Sequence, residues 1–250
     1  MNAGPVVLVR RSFADRPALS VAVSRAILIR VATGELPPTV RLHRPSRMLA
    51  FSRQDRASAG FSEAVRAARE HGFAPVLRLA GGRAAVYHEG TLACSWAVRD
   101  RRPAIRTTAR FAELAELLVR ALRRLGVDAR VGEVPGEYCP GAWSVNARGR
   151  TKLAGIGQRL IAGAAHRGAV IVTGGAERIR DVLIPTYDAL DLGWNPATAG
   201  SIEDEIGGVP VERVADAVVS ELSSLYEVVE GDVDQATLAL AAELEHEHAV

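Results

Sequence analysis

Residues 135–174 read PGEYCPGAWSVNARGRTKLAGIGQRLIAGAAHRGAVIVTG, short apolar or alternating runs broken by glycine turns. Residues 142–147 alternate as a strand, Arg148-Gly149-Arg150 forms a hairpin tip, and residues 151–156 return. Residues 158–161 and 169–173 read as further strands around residues 163–168. Strands joined by tight turns pair antiparallel, so this stretch commits the chain to a sheet with hairpin connections. It also carries Lys152, the one lysine among 31 Lys and Arg residues. Lysine offers a compact, tunable point charge where arginine offers a rigid, permanently charged fork. A single lysine is compatible with chance in an Arg-biased chain. Its position after Arg-Gly-Arg-Thr, before Leu-Ala-Gly-Ile-Gly and 13 residues beyond Cys139, makes it a site candidate.

The remaining sequence alternates strand and helix patterns. Residues 5–9, 39–42, 48–51 and 75–79 read as strands, and a further short strand falls within 127–134. Residues 17–33 carry Leu19, Val23 and Ile27 at helical spacing behind a proline start. Residues 60–72 form a helix ending at Gly72, and residues 108–126 give the strongest amphipathic pattern, with Leu114, Leu117, Leu118 and Leu122 on one stripe and the arginines on a solvated face. Residues 178–190 read as helix or irregular chain, and residues 210–226 and 233–244 as helices. At the end, His246 and His248 invite a metal reading. A frayed acidic tail is the simpler expectation, because no third fixed ligand accompanies them.

A second glycine motif lies at residues 78–98, RLAGGRAAVYHEGTLACSWAV. Residues 85–88 and 92–98 read as two strands around the tight Glu89-Gly90. Paired glycines let a backbone approach a ligand and turn its N–H groups toward an anion, and Arg78 and Arg83 would add charged donors. A glycine-rich hairpin kept for its turn, with His88 as a structural histidine, fits the same spacing equally well. Neither a phosphate-binding GxxxxGK[ST] loop nor a dinucleotide GxGxxG fingerprint is present.

With 250 residues, 24% charged and 48% hydrophobic, the chain can bury a full core. A formal charge of +2, without basic blocks interleaved with aromatics, does not call for nucleic acid. Two cysteines are too few for a disulfide framework, so a reducing, cytoplasmic compartment is the default. The first residues lack the parts of a secretory signal, and no apolar run reaches the length of a membrane span. Cys139 can act as a nucleophile if a nearby cation lowers its pKa, with Lys152 the evident candidate. An inert buried thiol is the opposing reading there and the preferred one for Cys94.

The two motifs together resemble the biotin/lipoate-protein ligase superfamily catalytic domain, in its lipoate-protein ligase and octanoyltransferase branch. Arg78-Leu79-Ala80-Gly81-Gly82-Arg83-Ala84-Ala85-Val86-Tyr87-His88 is similar to the family's first motif, an arginine, a small residue, Gly-Gly and Ala-Val-x-His, with one alanine more. Gly149 to Gln158, GRTKLAGIGQ, resembles the second motif and puts the family's invariant lysine on Lys152. Here Gly149 falls one residue early and Ile156-Gly157 replaces the common Ser-Ala. His166-Arg167-Gly168-Ala169-Val170 resembles the His-Gly strand entry that follows.

The resemblance implies an α+β fold: a single catalytic domain over residues 1–228 with a mixed, mostly antiparallel sheet flanked by helices, then a C-terminal helix and frayed tail over 229–250. It also implies an acyl tunnel beside the lysine. Cys139 resembles the cysteine that carries the acyl group in the transferases, shortly before the lysine motif. By this resemblance Cys139 and Lys152 are catalytic, and Arg78, Gly81, Gly82, Arg83, His88, Ala154, Gly155, Ile156, Gly157 and His166 hold the acyl substrate, with no metal. The implied reaction moves an octanoyl or lipoyl group from a carrier-protein thioester, through a cysteine thioester, to a lysine of a lipoyl domain or glycine-cleavage H-type acceptor. The donor is octanoyl-acyl carrier protein or a lipoyl-carrying protein, and no cofactor, nucleic acid or membrane is needed. The alternatives are an ATP- and Mg2+-dependent lipoate ligase working through an acyl-adenylate, and a non-catalytic binder of lipoyl or acyl-carrier domains.

Overall fold

The computed structural model describes residues 5–250. Its strands are β1 (Val6–Val9), β2 (Thr39–His43), β3 (Met48–Phe51), β4 (Ala74–Leu77), β5 (Ala85–Tyr87), β6 (Thr91–Arg99), β7 (Ala129–Val131), β8 (Val145–Ala147), β9 (Thr151–Ile161), β10 (Ala164–Val172) and β11 (Val228–Gly231). The helices are α1 (Pro17–Thr33), α2 (Arg53–Arg56), α3 (Phe61–Glu70), α4 (Thr107–Arg124), α5 (Ala176–Ala189), α6 (Ile202–Ile206), α7 (Val211–Leu225) and α8 (Gln235–Leu244).

Eight strands form one sheet in the order β11-β1-β2-β6-β10-β9-β8-β7. Its β11-β1 and β1-β2 pairs are parallel and the other five are antiparallel, the mixed, mostly antiparallel arrangement expected. Residues 151–161 form one unbroken strand rather than two, because Gly155 and Gly157 pair in register with Val170 and Gly168 of β10. The turn comes at Ala162-Gly163, so His166 and Arg167 lie inside β10.

Helices cover both faces. On one face α1 packs against β6 and β10, with α8 lying on α1. On the other, α4 and α7 bury Leu114, Leu118, Val214 and Val218 over Leu92, Leu153 and Ile171. Arg110 departs from the solvated face expected of α4. It is buried, paired with Asp100 at 2.7 Å and bonded to Gln158 at 3.1 Å. A second sheet, β4-β3-β5, packs with α3 and α5 around Leu49, Phe51, Ile179 and Leu183.

β5 and β6 are not a hairpin: β5 belongs to the small sheet and β6 to the large one. His88-Glu89-Gly90 is the corner between them. There the His88 Nδ1 accepts the Gly90 N–H at 3.0 Å, and the Thr91 hydroxyl bridges the His88 N–H and carbonyl.

The C-terminus also differs from expectation. A division at 228/229 falls inside β11, which pairs with β1, and the last residues are docked rather than frayed. The buried anchor is His248, whose Nδ1 lies 2.7 Å from the Leu77 carbonyl, while the Leu77 N–H donates to the His248 carbonyl at 2.9 Å. Two bonds to the end of β4 and burial of the ring outweigh the entropy that would fray a free tail. Among the described residues no His/Cys/Asp/Glu group could hold a metal ion, and no helix is long and apolar enough to cross a membrane.

Candidate active site

The site lies where the loop between β7 and β8, the start of β9 and the loop after β4 meet. Lys152 is 1% exposed, and its ammonium donates to Glu137 Oε1 at 2.9 Å, the Tyr138 carbonyl at 3.0 Å and the Cys139 carbonyl at 2.8 Å. All three of its protons are thereby used. The Glu137 side chain is fully buried and also accepts the Ser144 hydroxyl at 2.5 Å and the backbone N–H groups of Val134 and Gly141, each at 3.1 Å. A buried ammonium is tolerated only when paired and hydrogen-bonded, and Glu137 supplies that pairing.

This network holds Cys139 in an uncommon backbone conformation, φ 43°, in the left-handed region that L side chains rarely occupy. Its N–H donates to the Tyr187 hydroxyl at 3.0 Å, which donates to the Ala84 carbonyl at 3.0 Å, while Lys152 holds its carbonyl. Burial pushes the Tyr138 and Tyr187 phenols above the usual tyrosine range, so both stay neutral. Strain of this kind persists where the surroundings over-determine it, and it clusters at working sites.

Lys152 does not touch the thiol. The Cys139 Sγ accepts the Arg83 N–H at 3.1 Å and faces Arg78 Nη1 at 3.9 Å. Burial lowers the Arg78 pKa, but the neighbouring Cys139 and Tyr87 more than offset it and leave the group above its usual value. Any cationic stabilisation of a thiolate therefore comes from Arg78 and a backbone donor rather than from the lysine, a reassignment of the partner expected from sequence.

The glycines make this approach sterically feasible. A Cβ on Gly82, at φ 111°, would stand 2.8 Å from Sγ, and one on Gly157 would meet Ala80 at 3.0 Å and Arg78 at 3.2 Å. The space beside Gly157 is thus taken by the protein's own loop. Gly82→Ala is expected to displace the thiol and slow its acylation or alkylation by roughly 10²-fold, since about an ångström of misplacement costs that much. Rates within threefold of the parent would contradict this.

Cys139, Lys152, Arg78, Gly81, Gly82, Gly155, Ile156 and Gly157 line one cleft of about 500 Å³, closed by Phe111, Tyr138 and Trp143. That volume is within the usual range of small-molecule sites. Arg83 contributes its N–H, while its side chain pairs with the buried Asp55 at 3.3 Å. His166 lines a separate chamber of about 70 Å³ that shares the Arg78 wall. Its Nε2 lies 2.9 Å from the Ser95 hydroxyl, and burial, then the Arg78 charge, pull its pKa down to about 4, leaving the ring neutral at pH 7.

Two expected substrate contacts are not brought to the cleft. Ala154 is fully buried in the core beneath α4, just after a register shift on β9 that leaves Leu153 unpaired opposite the Val145–Asn146 step. His88 is occupied at the corner between the sheets, beside Gly174 and Gly175. The sequence reading missed Glu137 and Tyr187. Glu137 had a signal, since a lone buried lysine requires a nearby acid, whereas Tyr187, 48 residues beyond Cys139, had none.

The two cysteines differ sharply. Cys94 is buried in β6, and burial pushes its pKa up to about 12, whereas Cys139 is partly exposed. Iodoacetamide is expected to modify Cys139 and spare Cys94 in the native protein, as read by peptide mass mapping. Comparable labelling of Cys94 would refute the contrast.

Residues 16–223 match the family model of the lipoyl protein ligase A/B catalytic domain. The chain belongs to this family. Among curated relatives of this lipoyl ligase-family chain, the octanoyl-[GcvH]:protein N-octanoyltransferase of Bacillus velezensis is 30% identical over 160 residues, 64% of the chain and 53% of the relative. Octanoyltransferase LipM of Kyrpidia tusciae is 36% identical over 117 residues, 45% of the chain and 41% of the relative. The chain thus spans about half the length of the curated relatives it matches. The fold is shared with solved lipoate ligases: lipoate-protein ligase A bound with ATP has TM-score 0.76 at 20% identity, covering 99% of this chain and 95% of that one. The bipartite lipoate protein ligase of Thermoplasma acidophilum has TM-score 0.77 at 20% identity, covering 98% and 93%.

Proposed function

We propose that the protein is a cytoplasmic acyltransferase that moves an octanoyl or lipoyl group from a carrier thioester, through Cys139, to a lysine of a lipoyl or H-type acceptor domain. The observation that carries this is the Cys139 thiol on a strained backbone in the cleft, with the Arg83 N–H and Arg78 aimed at it. The names of the related octanoyltransferases support the same reading and point to a GcvH-type protein among the partners.

In this mechanism Sγ attacks the donor's thioester carbonyl, the donor C–S bond breaks, and the carrier thiol leaves with a proton. Arg78 and the Gly81-Gly82 turn flank the carbonyl and stabilise its developing negative charge. The neutral lysine amine of the acceptor then attacks the Cys139 thioester. The amide C–N bond forms, the C–S bond breaks, Sγ returns as thiolate, and the amine proton passes to solvent. Thioester exchange is nearly isoenergetic and amide formation is downhill, so no ATP is consumed. Lys152 serves as the backbone clamp for residue 139.

The lysine's donor set favours the transferase over the ligase alternative, because the ammonium that an adenylate phosphate would need is engaged by Glu137 and two carbonyls. The test is incubation with octanoyl-acyl carrier protein followed by intact-mass measurement. An octanoyl adduct that forms without ATP and maps to Cys139 supports the transferase. Modification of a lipoyl domain that requires ATP and free lipoate, with no adduct, would sink it.

A further inference from the structure

A third, smaller pocket of about 50 Å³ shares Arg78 with the cleft, and its polar lining is Arg25, Arg53, Arg78, Arg159, Glu247 and His248. Four guanidinium groups face one carboxylate, and that carboxylate pairs with Arg25 at 2.8 Å. Among the described residues, Arg53, Arg78 and Arg159 make no ion pair. Concentrated positive charge without compensating acids is unfavourable unless an anion completes it.

The docked C-terminus adds a second observation. His248 is 4% exposed, and its Nδ1 carries the proton it donates to the Leu77 carbonyl at 2.7 Å. Its Nε2 is then a lone-pair acceptor, buried and without a partner, and Arg78 Nε is likewise buried and unpartnered. The walls therefore combine several cationic donors with one acceptor. A carboxylate only accepts, whereas a phosphate accepts from arginine forks and, when singly protonated, also donates through its P–OH.

Arg78 ties this pocket to the chemistry, because its side chain also lies 3.9 Å from Cys139 Sγ and lines the cleft. Arg159 lies two residues beyond Gly157 on β9, and alternation along a strand puts both on one face, about 7 Å apart. We propose that this pocket is a phosphate subsite that holds the phosphate-bearing end of the acyl-thioester donor beside Cys139. The assignment rests on the transferase reading and deepens it, since it selects donors whose thiol arm carries a phosphate.

The test uses the full chain and an Arg53→Ala/Arg159→Ala variant, with inorganic phosphate as the calorimetric probe. Transfer is assayed with octanoyl-coenzyme A, which bears phosphate, and with octanoyl-N-acetylcysteamine, which does not. The variant is expected to weaken phosphate binding about tenfold or more and to raise KM for octanoyl-coenzyme A by a similar factor with kcat within twofold. Phosphate should compete with octanoyl-coenzyme A and not with octanoyl-N-acetylcysteamine. The subsite is refuted if phosphate fails to bind the parent, or binds parent and variant alike. Its assignment to the donor is refuted if phosphate binds without competing, or if KM rises equally for both donors. Failure of the transferase reading is seen separately, as absence of an adduct from either donor while the phosphate titration still reports on the pocket.

Discussion

Cys139→Ala is expected to abolish the acyl adduct and lower transfer to an acceptor domain by at least about 10³-fold, because Cys139 carries the one thiol that lines the cleft among the described residues and Arg78 faces it. The residue is partly exposed, at the edge of a hydrophobic cluster, and its thiol accepts one short hydrogen bond, from the Arg83 N–H at 3.1 Å, so the melting temperature should stay within about 2 °C of the parent. Steady-state transfer and calorimetry on the same preparation read the two effects together. Loss of activity with an unchanged melt isolates chemistry from folding. Retention of more than a tenth of the activity would remove Cys139 from the mechanism.

Glu137→Gln should act in the opposite way, mainly through stability. It leaves the Lys152 ammonium, 1% exposed, without a counter-charge. Breaking a buried pair from one side costs about 3–5 kcal/mol. For a chain of this size, at roughly 2–4 °C per kcal/mol, that corresponds to a melting temperature lower by about 6–20 °C. Removing both charges, in Glu137→Gln/Lys152→Met, should recover most of that loss, because the penalty is the unpaired charge and not the missing contact. The double variant should nevertheless remain poor in transfer, since nothing would then hold the Cys139 carbonyl against its strained φ of 43°. A single variant that melts like the parent would show that the pair is not the clamp on residue 139.

These two residues also mark how far the sequence could be read. The cysteine and the lysine stood out by rarity and by their closeness in the chain, and Cys139 does lie in the cleft with Lys152. Their relation did not follow from spacing. A lysine 13 residues from a cysteine suggested a thiolate partner, whereas the ammonium is committed to Glu137 and two backbone carbonyls. Rarity identifies a residue, but only the direction of its side chain says what it touches. His88 shows the same gap, since its motif position suggested a substrate contact and its ring is occupied at the corner between two sheets.

By itself the sequence determined the local elements: the hairpin stretch around Lys152, the α4 stripe and the glycine turns. Each follows from periodicity or backbone freedom within a few residues, as in β8 and β9, which pair antiparallel on either side of the Arg148-Gly149-Arg150 tip. Tertiary structure alone decided which distant groups meet. Arg78 and Arg83 reach the Cys139 thiol across 61 and 56 residues, Tyr187 supports its N–H across 48, and His248 closes the basic pocket across 171. Such contacts form only once sheet register and helix packing have set which side chains share a face, and neither quantity is local.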